Sequence, residues 1–455
     1  MTLGSITGSA AVRAFRHRNY RLFFAGQGIS LVGSWMQAVA QAWLVLTLTN
    51  DPLILGIVAA AQWTPVLLLG LFGGLIADTL PKRWTLVVCE AILAALALIL
   101  GVLTLAGMVQ VWMILVLAVL LGCVNAIEMP VRQAFAVEMV GREDVVNAVI
   151  LNSALFNSAR VIGPAIAGLT IAATNTGVAF LINGASFLAV IVGLLMMRDS
   201  ELHSPPPIPR PHSVHEAMTS VGEGVAYVRR TPIVLYSVLI VGLAATIGMN
   251  FQVTIPPFAR ATLGGDAADF GFLMTATGLG SVAAALWLAS RRRPSPWLIP
   301  SGAALLGAAL ILVAILPRIA VALPALTLAG FGAIGMAATG NTTIQTVVPD
   351  ELRGRVMSVY TTVFAGSTPI GAIFAGAVAS AANPVVALAA GGIGTLAVGV
   401  AGLLWLRRNR EVADLAPREL LLPREPMPAG DIRDSVPGPS GADGEPHRRR
   451  GPATP

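Results

Sequence analysis

Two ionisable side chains lie deep inside otherwise apolar sequence, Arg160 and Glu90. At 1.5 Å per helical residue, Arg160 falls about fifteen residues into its apolar segment, near the middle of a bilayer. An unpaired arginine at that depth costs at least about 2.5–3.5 kcal/mol on insertion scales. It therefore faces a water-filled cavity or an acidic partner, and its place marks it for intramembrane charge coupling. Glu90, roughly two turns from the end of its segment, is the matching candidate: a proton carrier, or a partner for Arg160 or Arg132. Glu128 and Arg132 are four residues apart on one helical face and can pair near the membrane surface. That pair fits a fixed structural role as well as a switching one. Asp78, with Lys82 and Arg83 shortly after it, can pair locally or meet the positive N-terminus of another helix. The histidines all lie outside the apolar segments, and Cys89 and Cys123 both lie inside them, where packing is their expected role. No metal centre is expected. Nor is there a nucleotide loop, a zinc-protease helix, a nucleophile elbow or a dinucleotide fingerprint. The chain is therefore read as no enzyme and as having no cofactor, and any pumping must draw on an ion gradient, for which protons are the expected ion. One proton crossing about 100 mV releases roughly 2.3 kcal/mol, and each pH unit adds about 1.4.

The elements that must position these groups are membrane helices. The chain has 455 residues, 55% hydrophobic and 11% charged, with a mean hydropathy of +0.77. Soluble domains carry roughly 25% charged residues, so most of this chain cannot face water. The ten-residue alternation of a membrane barrel is absent. Apolar spans long enough to cross a bilayer are expected near 21–48, 53–77, 84–106, 110–131, 145–172 and 177–197. After a polar gap they resume near 233–257, 267–289, 296–316, 320–346, 355–380 and 384–406. The expected fold is all-α and integral to the membrane: twelve transmembrane helices in two six-helix bundles. The expected domains are a cytoplasmic segment 1–20, a first bundle 21–198, a linker 199–232, a second bundle 233–408 and a disordered tail 409–455.

Arginines and lysines crowd the loops on one side, including Lys82, Arg83, Arg142, Arg229, Arg230, Arg353 and Arg355. The opposite loops hold Arg260 and Arg318. By the positive-inside rule both termini are cytoplasmic, and the net charge of +6 is a topology signal rather than a sign of nucleic acid. Met1 to Arg21 is polar and basic and leads straight into the first span, which is read as its own insertion signal. In the linker, Val214, Ala217, Met218, Val221, Val225 and Val228 recur at three- and four-residue spacing. That pattern predicts an amphipathic helix lying on the inner leaflet. Arginine dominates the basic residues, and alanine, glycine and proline are abundant, the composition of a GC-rich bacterial genome.

An internal repeat ties the halves together. Val161-Ile-Gly163-Pro164-Ala-Ile-Ala-Gly168 returns as Pro369-Ile-Gly371-Ala-Ile-Phe-Ala-Gly376, and each copy follows similar polar punctuation. A repeat on this scale in apolar sequence predicts two related bundles packed face to face. Gly74-Leu-Ile-Ala-Asp78-Thr-Leu-Pro-Lys82-Arg83, closing the second span, resembles the signature of the major facilitator superfamily (MFS), although Thr79 and Pro81 stand where that family has a basic residue and a glycine. Glu128-Met-Pro-Val-Arg132-Gln133 resembles the subgroup of enterobactin exporters and macrolide-efflux proteins. Gly163, Pro164 and Gly168 in the fifth span resemble the superfamily's antiporter motif, found mainly in exporters. The echo, with Ala372 in place of the proline, has the asymmetry that exporters show.

The resemblance covers about residues 15 to 408. It implies two bundles rocking about a midplane cavity, with a cytoplasmic gate at Asp78, Lys82, Arg83, Glu128 and Arg132. It also implies that spans 1, 4, 7 and 10 line the cavity. Trp35, Gln37, Gln41, Asn250 and Asn341 are then the candidate cargo contacts, with Gln27, Gln252 and Gln345 beside them. The implied function is proton-coupled export of a hydrophobic or amphipathic small molecule, such as a drug or siderophore. The implied setting is a monomer in a bacterial inner membrane, its partners being lipid, cargo and protons, and no nucleic acid. An uptake permease or facilitator, and a non-transporting membrane sensor or scaffold, are the alternatives.

Overall fold

The structure, a computed structural model, describes residues 10–203, 214–291 and 295–411, and leaves the side chains of 10–11, 71–78 and 214–221 undescribed. The expected tail beyond Glu411 lies outside these residues, as does the proline-rich stretch of the linker. After a 3-10 turn, Ala10–Arg16, the first half comprises α1 (Arg18–Thr49), α2 (Pro52–Thr79), α3 (Lys82–Leu105), α4 (Val111–Ala173) and α5 (Thr176–Leu195). The linker helix α6 (Val214–Arg230) follows. The second half comprises α7 (Pro232–Gly248), α8 (Phe251–Pro257), α9 (Ala267–Ala289), α10 (Leu298–Ile315), α11 (Ile319–Val347), α12 (Asp350–Ala381) and α13 (Pro384–Arg408). Among the described residues there is no strand. Among the described residues, eleven helical segments are long and apolar enough to cross a bilayer. One of them, the 63-residue α4, would reach about 95 Å if straight; it crosses twice, making twelve crossings.

Helical sequence continues where a loop between the fourth and fifth spans was expected. Residues 132–144 supply good helix formers such as Gln133, Ala134, Ala136, Glu138 and Met139, and the break narrows to Gly141, at φ 71° and ψ 175°. Without a β-carbon, glycine takes this conformation at little cost. The seventh span is also not one helix. It breaks at Met249 and Asn250 between α7 and α8, and ends in a π-turn, Phe258–Thr262. Pro256 and Pro257 lack the backbone N–H that a regular helix would use there.

The two halves repeat in their caps as well as in their glycines. Asn175 starts α5 by accepting from the Val178 N–H at 3.1 Å, and Asn383 starts α13 by accepting from Val386 at 2.9 Å. These asparagines are separated by the same interval as Gly163 and Gly371. Within each half, helices pack closely through small residues, as membrane helices must when lipid is as apolar as the protein. The linker helix docks on the second half rather than presenting its whole apolar face to lipid. Gly224 lies against the Arg355 carbonyl, Val228 is buried, and Glu223 pairs with Arg355.

Candidate functional site

The halves meet along two seams related by the repeat. In the first, the second limb of α4 crosses α9. A methyl on Gly168 would stand 2.8 Å from the Ala267 carbonyl oxygen and 3.1 Å from Gly271 Cα. In the second, α12 crosses α2. A methyl on Gly376 would stand 2.7 Å from the Pro52 oxygen and 3.3 Å from Gly56 Cα. The first glycine of each motif instead faces its own half. Gly163 lies against Trp35 and Val32 of α1, and Gly371 against Thr246 and Asn250 of the seventh span.

Both seams lie toward the face opposite the basic loops, where further contacts close the halves together. Trp43 stacks on Phe270 at 6.0 Å, and Arg260 Nη1 donates to the Leu46 carbonyl at 3.0 Å. Arg260 had counted in the sequence only as a loop charge. The seams run inward as far as Leu67 with Gly366, and Arg160 with Gly278.

A cavity of about 350 Å³ lies between the halves at this depth. Trp35, Trp63, Phe156 and Phe364 provide aromatic walls, Asn250 and Thr277 polar edges, and Arg160 a charge. The guanidinium of Arg160 sits 5.3 Å from the centre of the Trp35 ring, within cation–π range. Phe156, one helical turn away on α4, packs edge-on against Trp35 at 5.7 Å. Pro164 explains part of this geometry. It has no N–H to give to the carbonyl four residues earlier, which is that of Arg160. A methyl on Gly278 of α9 would stand 2.9 Å from this same carbonyl. One residue on, Thr275 Oγ1 donates to the Val161 carbonyl at 3.1 Å.

The candidate cargo residues divide. Trp35, Asn250 and Gln252 line the cavity. Gln41 lines a small adjoining pocket with Gln62 and Gln252. Gln37 and Asn341 do not line it. Gln37 is buried against α5, accepting a hydrogen bond from Asn183 Nδ2 at 2.5 Å, and Asn341 accepts from Gln345 one turn away on α11. A polar residue bonded between or along helices looks the same in sequence as one turned to a ligand. Gln27 is buried with Oε1 unpartnered. Trp63, Phe156 and Phe364 were missed in the sequence, because an aromatic residue facing a cavity reads like one facing lipid.

Glu90 lies apart from Arg160. It is 2% exposed, and its charged neighbours are Glu128 and Arg132. Arg132 Nε comes within 3.3 Å of Glu128 Oε1, but Glu128 Oε1 accepts no hydrogen bond and Glu90 Oε2 has no partner among the described residues. Two buried carboxylates thus lie near one partly exposed guanidinium, and among the described residues only Glu128 pairs with it.

The basic face is held by pairs within each half. Lys82 Nζ bonds Glu138 at 2.7 Å. Arg83 reaches Asp199 at 2.5 Å and caps the end of α5 through the Leu194 and Leu195 carbonyls, as a cation at a helix C-terminus should. Asp144 takes Arg13 and His17, while Arg353 pairs with Asp350. Sequence reading missed Glu138, although it stands in the punctuation before the repeat. The side chain of Asp78 lies outside the described residues.

This architecture is that of known transporters. Solved structures sharing it include a bacterial homologue of the human lysosomal transporter Spinster, in an inward-facing and occupied conformation. It aligns with a TM-score of 0.64 at 15% identity, over 88% of this chain and 97% of that one. A POT family transporter in complex with a thioalcohol-conjugated peptide aligns at 0.69 and 13%, over 87% and 96%. At these identities the likeness is one of fold. In sequence, the chain is 29% identical to the multidrug efflux pump Tap of Mycolicibacterium fortuitum over 402 residues, 86% of this chain and 94% of that protein. It is 25% identical to the enterobactin exporter EntS of Shigella boydii over 407 residues, 88% and 95%. It is 26% identical to the staphyloferrin A transporter of Staphylococcus aureus over 270 residues, 59% and 66%. The model of the transmembrane secretion effector family matches residues 9–433. The chain belongs to that family, within the major facilitator superfamily, and is a multi-pass membrane transporter rather than an enzyme.

Proposed function

We propose that the chain exports hydrophobic or amphipathic small molecules, of drug or siderophore type, across a bacterial inner membrane by alternating access driven by protons. Both termini face the cytoplasm in this reading, and the protein works as a monomer. The observation that carries it is the cavity between two halves that close on each other at the face opposite the basic loops. Such an arrangement takes cargo from the basic, cytoplasmic side. The kinship to Tap, EntS and the staphyloferrin A transporter favours export, as does the Gly163-Pro164 motif placed on a seam.

In this mechanism the seams part and the basic face closes, with the gate of Asp78, Lys82, Arg83, Glu128 and Arg132 exchanging partners within a half for partners across the halves. Glu90 carries the proton. It lies beside the Glu128–Arg132 pair, so a proton taken up by Glu90 removes a negative charge from that cluster and weakens its hold on Arg132. Charge uptake at one carboxylate thereby biases a two-state gate.

The test uses inside-out vesicles made acidic within, offered a panel of lipophilic drugs and siderophores. Accumulation that a protonophore collapses and Glu90→Gln abolishes supports proton-driven export. Equilibration without concentration leaves a facilitator. Movement of cargo only out of such vesicles makes the chain an uptake permease, and movement of none favours a sensor.

A further inference from the structure

Among the described residues, Arg160 is the one charged side chain lining the cavity, and no carboxylate pairs with it. Glu90, the other charge deep in the spans, lies instead beside Glu128 and Arg132. Three neutral polar groups of the wall spend donors on their own helices. Asn250 Nδ2 bonds the Thr246 carbonyl at 2.8 Å, Thr277 Oγ1 that of Met274 at 2.7 Å, and Ser367 Oγ that of Phe364 at 2.6 Å. Gln252 and Thr368 add neutral polar edges, and the rest of the wall is largely aromatic and aliphatic. What the cavity offers a ligand is therefore a single positive charge, a fork of N–H donors, set with a few neutral polar groups in a mainly apolar, aromatic cage.

We infer that this cavity selects amphipathic organic anions, molecules with an apolar or aromatic body and a single negative charge, and discriminates against lipophilic cations of the same shape. The inference rests on reading the cavity as the cargo site. An anion supplies the charge that Arg160 lacks, and the guanidinium attracts it whether the charge is spread over the body or sits on an oxyanion that also takes parallel hydrogen bonds. A cation would find aromatic faces attractive, but would have to approach a guanidinium that already occupies the Trp35 face. A low-dielectric, partly enclosed cavity strengthens both the attraction and the repulsion.

The probes are tetraphenylborate and tetraphenylphosphonium, which share a shape and differ in the sign of charge. Binding is measured at equilibrium to the purified full chain in phosphatidylcholine nanodiscs, with empty discs subtracted. Each affinity is compared between wild type, Arg160→Gln and Arg160→Lys, so that partition into lipid cancels. The expected result is a loss of at least about tenfold in borate affinity in Arg160→Gln, about 1.4 kcal/mol. Phosphonium binding should be unchanged or tighter, which also shows that the variant is folded. Arg160→Lys should keep the preference for the anion with weaker binding. Should Arg160→Gln fail to fold, wild type and Arg160→Lys decide through the borate–phosphonium ratio alone. Equal borate affinity in wild type and Arg160→Gln, a wild-type preference for the phosphonium, or binding of neither ion overturns the inference. Equilibrium binding is blind to direction. Borate selectivity without concentrative uptake into vesicles would sink export and leave this inference standing. Concentration of lipophilic cations without borate selectivity would do the reverse.

Discussion

Adding a single methyl group at Gly168 should push the transporter out of the conformation described here. The methyl of Gly168→Ala would stand 2.8 Å from the Ala267 oxygen, 3.0 Å from Ala268 Cα and 3.1 Å from Gly271 Cα, against 3.4–4 Å for ordinary contact. Every one of these atoms is backbone, so no side chain can rotate away, and α4 and α9 must separate by about half an ångström. Overpacking of this kind costs about 1–3 kcal/mol. The contact exists only while this face is closed. The cost therefore falls on one state, and the equilibrium should move about 5- to 150-fold toward the state open at this face. Gly376→Ala meets the Pro52 oxygen at 2.7 Å and should act in the same direction, because rigid halves cannot open one seam alone.

The assay is a distance distribution between spin labels on Thr174→Cys and Ala382→Cys, in a chain carrying Cys89→Ser and Cys123→Ser. Both labelled positions are exposed, beside the ends of α4 and α12 at the closing face. Either seam variant should move weight to longer distances. Gly335→Ala, where a methyl meets nothing within 4 Å, should not. An unchanged distribution in Gly168→Ala, with the protein folded, would refute the claim that this crossing selects the state.

Three further substitutions probe the supports around the site. Gly141→Ala places a β-carbon in a backbone region used essentially by glycine and 3.2 Å from the His203 ring; thermal unfolding in detergent should register a loss of about 1–3 kcal/mol. Asn183→Leu leaves the buried Gln37 carbonyl oxygen without its donor and should cost about 1–3 kcal/mol in the same assay. It should leave ligand affinity unchanged, because neither residue lines the cavity, and a change in affinity would return Gln37 to the binding site. Glu128→Gln should cost less than the roughly 3–5 kcal/mol typical of breaking a buried pair, because Arg132 is 24% exposed and Glu90 remains to meet it. A double-mutant cycle with Glu90→Gln should therefore show a combined loss larger than the sum, and simple additivity would mean that the two carboxylates do not share the arginine.

Much of this was legible because a bilayer reduces the problem. Backbone groups in lipid must bond internally, so apolar runs of sufficient length had to be helices, and the repeated glycine motif had to relate two bundles. Arg160 announced itself by the cost of burying it. Positions set by direction rather than composition were harder to read. A helix surrounded by lipid on one side and protein on the other shows weak apolar periodicity, so Trp63, Phe156 and Phe364 gave no hint that they face a cavity. Gln37 and Asn341 were assigned to it on polarity and on the cavity-lining spans that the resemblance implied, and they instead bond to Asn183 and Gln345. The break at Gly141 was hidden because the residues around it form helix well.

The fifth-span motif joins the cavity to the seam through one residue. Pro164 leaves the Arg160 carbonyl without its helical donor, and that carbonyl faces Gly278 in the other half, beside the hydrogen bond from Thr275 to Val161. The side chain of the same Arg160 enters the cavity over Trp35. In α12 the proline comes about a turn earlier, at Pro369, so the carbonyl it frees belongs to Ala365, and Ala372 keeps its N–H for the helix. The seams are thus alike in packing and unlike in polarity. Only in α4 does the helix irregularity share a residue with the cavity charge. A ligand that draws the Arg160 guanidinium off Trp35 acts on the residue whose backbone touches the other half. A ligand shifts a conformational equilibrium only through contacts that differ between its states, and Arg160 is where this fold can make such a difference. The proline therefore belongs with the cavity's charge in α4, and the repeat that built the second half had no need to copy it.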